Sequence, residues 1–247
     1  MYNCKVKVYC DTELQTRVYS KPVYTGQKEK PDKNRFRSVE DEERSLKVST
    51  NRALAKIYDL ARSNIWDWFI TLTFSPDKVN RYDYDECVEK LSKWLNNLRR
   101  NAPELKYLIV PELHKDGAYH FHGLLACAGG IDFVPSGRHT GGQMIYNIGQ
   151  YKLGFTTATK VNNNSAVTKY ITKYVTKDLV SHTKHKRRYW GSRNLSVPDE
   201  NTYYLEDAMQ DVFTYGLVQD VHHVTVVDYQ VGDDSRKMTI FESAYEV

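Results

Sequence analysis

Alternation of apolar and polar positions predicts the strands of this chain. In Phe69-Ile70-Thr71-Leu72-Thr73-Phe74, residues Phe69, Thr71 and Thr73 share one face, and Ile70, Leu72 and Phe74 share the other. Ser75-Pro76 stops that run. Residues 106–110 predict the next strand, Lys115-Asp116-Gly117 a three-residue turn with left-handed glycine, and residues 119–127 the returning strand. A further strand is expected over 154–161. Residues 5–9 alternate briefly, and residues 221–229 and 237–243 predict a hairpin around Gly232-Asp233-Asp234.

Helical spacing fills the gaps. After Ser38, residues Leu46, Leu54, Ile57, Leu60 and Ala61 fall on one stripe that ends at Asn64. Val88, Leu91, Leu95 and Leu98 form a second stripe, capped near Asp83 or Asp85 and closed by Pro103. The run Asn162–Ser165 predicts an N-cap for a helix over residues 166–179. The glycine-rich residues 128–150 read as an inserted surface loop, and the charged segment 27–37 as an exposed arm. Residues 202–216 fit no single pattern.

This order predicts an α+β protein with a ferredoxin-like βαββαβ core around a central antiparallel sheet. Three segments are expected: residues 1–65 as an N-terminal arm and helix, 66–195 as the core, and 196–247 as a C-terminal extension packing on the core.

Composition narrows the function classes. With 247 residues and 40% hydrophobic content, the chain can bury one sizeable core. No apolar run approaches the roughly 20 residues of a membrane helix, and the N-terminus has no apolar signal segment. The four cysteines form no CxxC pair or zinc spacing, so reduced thiols in a cytoplasmic setting are expected. Net charge is only +4, but Lys169, Lys173, Lys177, Lys184, Lys186, Arg187, Arg188 and Arg193 face a single acid, Asp178, between residues 169 and 193. Such a stretch is the footprint of phosphate contact, or else a solvated lysine-rich face.

The hairpin register sharpens the chemistry. A three-residue turn sets His114 against Ala118, Glu112 against His120, and Val110 against His122. His120 and His122 then share one strand face, with Glu112 directly opposite His120. Two imidazoles and one carboxylate suit a divalent metal with open positions: Mg2+ or, given the nitrogen ligands, Mn2+. His114 is a spare candidate on that face, and Asp116 is a turn residue. Downstream, Tyr170 and Tyr174 stand four apart beside Lys169, Lys173 and Lys177. The plain alternative is an amphipathic helix with half-buried tyrosines. A phenol is a poor nucleophile at its ordinary pKa near 10, so adjacent ammonium groups and a metal-bound phosphate would have to assist it.

Taken together, Phe-Ile-Thr-Leu-Thr-Phe (69–74), His-Phe-His (120–122) and Tyr-Ile-Thr-Lys-Tyr-Val-Thr-Lys (170–177) resemble the three motifs of HUH endonucleases. They are most similar to the rolling-circle replication initiators of microviruses and small bacterial plasmids. The resemblance covers residues 66–193. It implies the HUH endonuclease fold, with Glu112, His120 and His122 holding the metal and Tyr170 and Tyr174 as nucleophiles. Lys173 and Lys177 would position the phosphate or assist proton transfer. Tyr-x-x-Lys occurs twice, so the pattern does not say which tyrosine nicks first. Relaxases place their tyrosine before the histidine pair, so this order favours an initiator. Arg187-Arg188-Tyr189-Trp190-Gly191-Ser192-Arg193 is similar to basic segments that follow the third motif in phage-type members.

The implied activity is metal-dependent nicking and rejoining of single-stranded origin DNA through a 5′-phosphotyrosine, in the cytoplasm of a bacterial host. DNA contacts are expected at Thr71, Thr73, Lys169, Lys184, Lys186, Arg187, Arg188 and Arg193. The sequence contains no GxxxxGK[ST] phosphate loop, so a host helicase or supercoiling would separate the strands, with a host DNA polymerase as a further partner. Two alternatives remain open: an HUH-type transposase or mobilisation protein, and a DNA-binding regulator that does not cut.

Overall fold

Backbone pairing gathers the strands into two antiparallel sheets, which with four helices among the described residues make the protein α+β. The computed structural model describes residues 1–10, 12–26, 38–175, 179, 183, 186–231 and 233–244. The chain divides into two units, Met1–Phe36 with Val197–Val247 and Arg37–Ser196. This division cuts differently from the three expected segments. The helix after Ser38 falls in the same unit as the central sheet, and the N-terminal strands share a sheet with the C-terminal hairpin.

The first unit holds β1 (Tyr2–Tyr9), β2 (Glu13–Val23), β10 (Asp199–Tyr203), β11 (Val221–Val231) and β12 (Asp234–Ala244), ordered β10-β1-β2-β12-β11. The expected hairpin is β11–β12. The ambiguous stretch 202–216 resolves into the end of β10 and a short helix, α4 (Ala208–Thr214). A small core of Cys4, Val6, Leu14, Val18, Val212 and Phe241 lies here.

In the second unit, α1 (Val39–Arg62) begins at a capping box. The Ser38 hydroxyl accepts from the Asp41 amide at 3.1 Å, and the Asp41 carboxylate accepts from the Ser38 amide at 3.4 Å. The sheet order is β6-β7-β8-β3-β5-β4-β9. Its strands are β3 (Trp68–Phe74), β4 (Lys106–Leu113), β5 (Tyr119–Ala126), β6 (Phe133–Thr140), β7 (Gln143–Ile148), β8 (Gly154–Lys160) and β9 (Trp190–Gly191). Helix α2 (Tyr84–Asn101) follows β3, with the Asp83 carboxylate accepting from the Asp85 and Glu86 amides. Its buried Leu91, Leu95 and Leu98 join Ile70, Leu72, Phe74 and Phe121 in one core.

The four central strands, β8-β3-β5-β4, have the neighbour relations of a ferredoxin-like sheet. The second crossover is made differently. Residues 128–150, expected as a loop, form the β6–β7 hairpin, turned by Gly141 and Gly142 at φ 53° and 78°. The hairpin is anchored where Phe133 stacks on Trp68, centroids 3.9 Å apart. Helix α3 (Asn164–Thr172) comes after β8 rather than before it.

Helix α3 is also shorter than its pattern predicts, ending at Thr172 instead of residue 179. The Thr172 hydroxyl donates to the Lys169 carbonyl at 2.8 Å, and the Lys173 and Val175 amides reach back only three residues. Clustered β-branched side chains with a competing hydroxyl close the helix there. All four cysteines are free, Cys4 and Cys87 buried. No helix among the described residues is long and apolar enough to cross a membrane.

Candidate active site

Strand alternation leaves one face of the central sheet to α2 and its core. The opposite face carries two rows of polar side chains, set by register alone. One row is Phe155, Thr73, His120 and Glu112; the next is Thr157, Thr71, His122 and Val110. Helix α3 contacts β5 and lies against α1, so the Phe69 end of the face is covered. The β4–β5 turn is the expected one, with the His114 amide bonded to the Ala118 carbonyl and Gly117 at φ 85°.

His122 is the fixed point of the site. It is only 6% exposed. Its Nε2 lies 2.7 Å from Glu112 Oε2, and its Nδ1 lies 3.1 Å from Thr71 Oγ1. A carboxylate only accepts, so Nε2 carries the proton here and the Thr71 hydroxyl donates to Nδ1. The Glu112 partner is thus the diagonal histidine, not the one directly across. His120 stacks on His114, with centroids 5.0 Å apart and planes 10° apart. His114 in turn pairs with Asp116, which also caps the turn at the Ala118 amide. Burial lowers the pKa of both His120 and His122. The neighbouring His114 adds to the effect at His120, while Glu112 opposes it at His122.

The phenols meet the imidazoles. The Tyr174 ring lies on His122, centroids 3.6 Å apart. Tyr170 meets Tyr174 edge-on at 5.3 Å and Phe69 at 5.3 Å. Helical i, i+4 spacing does not explain the pairing, since Tyr174 lies past the end of α3; a turn brings it back. Burial raises the Tyr174 pKa, and a hydrogen bond shared with Tyr170 raises it further. Tyr170 is 44% exposed. The Lys173 ammonium sits 5.7 Å from the Tyr170 ring centroid.

The donors fit a divalent cation in kind. Two imidazoles are held neutral by burial, Nδ1 of one is fixed by a hydroxyl, and a carboxylate is within contact distance. Thr71 can donate to Nδ1 or accept from it, so it serves either tautomer of His122. Still, no three His, Cys, Asp or Glu side chains among the described residues are gathered closely enough to hold an ion. Glu112 closes on His122 directly, and His120 leans on His114.

The other predicted residues scatter. Lys169, Lys173, Arg187 and Arg193 are exposed. Lys186 is exposed and pairs with Asp85 at 2.5 Å. Arg188 is only 7% exposed, bonds Ser49 Oγ at 3.1 Å, and has its pKa lowered by burial, so it is not presented for DNA contact. Sequence reading could not see this, because a basic run gives no sign of which member turns inward. The Thr71 hydroxyl is committed to His122. Lys177 and Lys184 lie outside the described residues. Phe69, on which both tyrosines pack, was missed as a site residue although alternation puts it on the face of Thr71 and Thr73.

No curated protein and no solved structure matches the chain significantly. Residues 67–179 match the model of a family described as Replication-associated protein ORF2. The matched stretch runs from β3 through α3 and contains Thr71, Glu112, His120, His122, Tyr170 and Tyr174. The match supports a replication-associated protein, in the role of rolling-circle initiator.

Proposed function

We propose that this chain initiates rolling-circle replication by nicking and rejoining single-stranded origin DNA. The observation that carries the reading is the contact of Tyr174 with His122, which brings phenols and imidazoles to one site large enough for a single DNA linkage. In the first step a tyrosine oxygen bonds to phosphorus, the P–O3′ bond breaks, and the 3′-oxygen takes a proton. The product is a 5′-phosphotyrosine and a free 3′-hydroxyl. Attack by a 3′-hydroxyl on that phosphotyrosine reverses the exchange, one phosphodiester for another, without ATP. Glu112, His120 and His122 would hold Mg2+ or Mn2+, which would polarise the scissile phosphate and offset its developing charge. Thr71 orients His122. Lys173 and Lys169 supply positive charge beside the phosphate, and Lys186, Arg187 and Arg193 a basic approach for the strand. A host helicase and polymerase would act around the nick.

The test is a covalent one. Labelled single-stranded oligonucleotides tiling the replicon that carries the gene are incubated with the protein and Mn2+, and denaturant-resistant adducts are resolved. One oligonucleotide should form an adduct that disappears in the Tyr170→Phe/Tyr174→Phe double variant. An undiminished adduct in that variant would remove both tyrosines from the mechanism. Tight binding without any adduct would favour a DNA-binding regulator instead.

A further inference from the structure

Phe155 is 75% exposed at the start of β8. It stands on the face that carries the proposed site, in the same row as Thr73, His120 and Glu112. Folding gives no reason for an aromatic side chain there, since it packs in neither hydrophobic core and has no aromatic partner among the described residues. Its neighbour two residues along that face, Thr157, is exposed as well.

The backbone beneath it is tightly held. A Cβ on Gly154 would meet the Thr73 carbonyl oxygen at 2.1 Å and the Ser75 amide nitrogen at 2.6 Å, so β8 runs against β3 with no slack. The ring is therefore presented on a rigid strand. Two strand spacings, about 10 Å, separate its row position from His120. That lies within reach of the nucleotides flanking a linkage held at the histidines. An exposed aromatic ring on a rigid sheet beside a phosphate site is the arrangement that stacks nucleobases, independently of sequence.

We propose that Phe155 is a stacking platform for a base of the substrate strand next to the scissile linkage. The inference rests on the nicking function proposed above and adds to it a binding position for the DNA. The platform sets where the strand lies relative to the tyrosines. It takes a purine or a pyrimidine face, because every base has one.

The full-length protein is titrated with the oligonucleotide that gives the adduct, in EDTA to hold cleavage off, and binding is followed by anisotropy. Phe155→Ala should weaken binding about tenfold, as loss of one stacked base does, while Phe155→Tyr retains it. In a second measurement, Phe155→Trp reports directly. The native tryptophans Trp66, Trp68, Trp94 and Trp190 are 2–7% exposed, so quenching by DNA should come from position 155. If wild type forms the adduct and Phe155→Ala binds as tightly as wild type, the platform is overturned and the nicking function stands. If wild type neither binds nor cuts any single strand, the nicking function itself fails, and the platform with it. If wild type binds without cutting and Phe155→Ala weakens binding, the platform stands and only the chemistry falls.

Discussion

Tyr174 lies face to face on His122, with ring centroids 3.6 Å apart and planes within 12°. Tyr170 meets it edge-on and keeps its own surface half open. The two phenols are therefore not equivalent: one is engaged on the proposed metal-binding imidazole, the other faces solvent. Tyr170 is expected to make the first attack, with Tyr174 following once it leaves His122. Tyr170→Phe should abolish the adduct formed in the first turnover. Tyr174→Phe, which preserves the stacked ring, should leave that first adduct in place and block the later transfer. Peptide mapping of the adduct in each single variant distinguishes them, and a first adduct confined to Tyr174 would reverse the order.

The Thr71 hydroxyl, 3.1 Å from His122 Nδ1, holds the ring so that Nε2 points at Glu112. Thr71→Val keeps the shape and removes the hydrogen bond. Loss of such an orienting partner typically costs about 10–100-fold in metal affinity, and the same loss is expected here for Mn2+ by calorimetric titration. DNA binding in EDTA should stay near the wild-type level. A variant that binds Mn2+ normally but loses DNA would return Thr71 to the DNA-contact role its sequence position suggested.

The hairpin that carries the histidines was legible because a three-residue turn with glycine at 117 leaves one register, and that register alone fixes Glu112 opposite His120 and Val110 opposite His122. The core face was legible in the alternation of residues 69–74 for the same reason. What alternation does not carry is side-chain choice across a diagonal. Glu112 could turn to either histidine, and the buried site of His122 drew it there. The end of α3 was missed because hydrophobic spacing continues past Thr172 while the backbone, crowded by β-branched residues, does not. The β6–β7 hairpin was hidden by glycines that read as disorder of pattern but set the turn between two strands. The partnership of N-terminal strands with a C-terminal hairpin depends on pairing between residues more than two hundred positions apart, such as Arg17 with Ile240, and no local signal reports it.

Burial lowers the pKa of both His120 and His122 below the ordinary 6.5. In the unfolded chain both return to that value, so on acidification the unfolded state takes up these protons first. The stability they contribute is complete above pH 6.5 and is lost as pH falls through the folded-state values. Thermal unfolding followed from pH 7.5 to 5 should show a falling midpoint that begins below about pH 6.5. Stabilisation by added Mn2+ should fade in the same window, because protons compete for the imidazoles. The carboxylates held low by their partners, Asp116, Glu200 and Asp234, start from ordinary values of 3.8, 4.5 and 3.8 and act below this range. His122→Gln should flatten the slope between pH 6.5 and 5. An unchanged slope would mean that other groups set it.

Gly154 is where β8 presses on β3. Every near neighbour of an added Cβ is backbone, with the Thr73 oxygen at 2.1 Å, the Ser75 nitrogen at 2.6 Å and the Phe74 carbonyl carbon at 2.8 Å. A backbone cannot swing aside as a side-chain end can. Gly154→Ala should therefore cost about 1–3 kcal/mol, the range for overpacking, seen as a drop of several degrees in the unfolding midpoint. Gly129→Ala is the control: a Cβ there meets nothing within 4 Å, and its effect should stay within roughly 0.5 kcal/mol. The strand that Gly154 seats also carries Phe155, and its neighbour β3 carries Thr71 and Thr73. The same substitution should thus weaken DNA binding more than the temperature shift alone accounts for, measured well below the midpoint. Equal midpoints for Gly154→Ala and Gly129→Ala would show that β8 has room to move, and the rigidity argued for Phe155 would go with it.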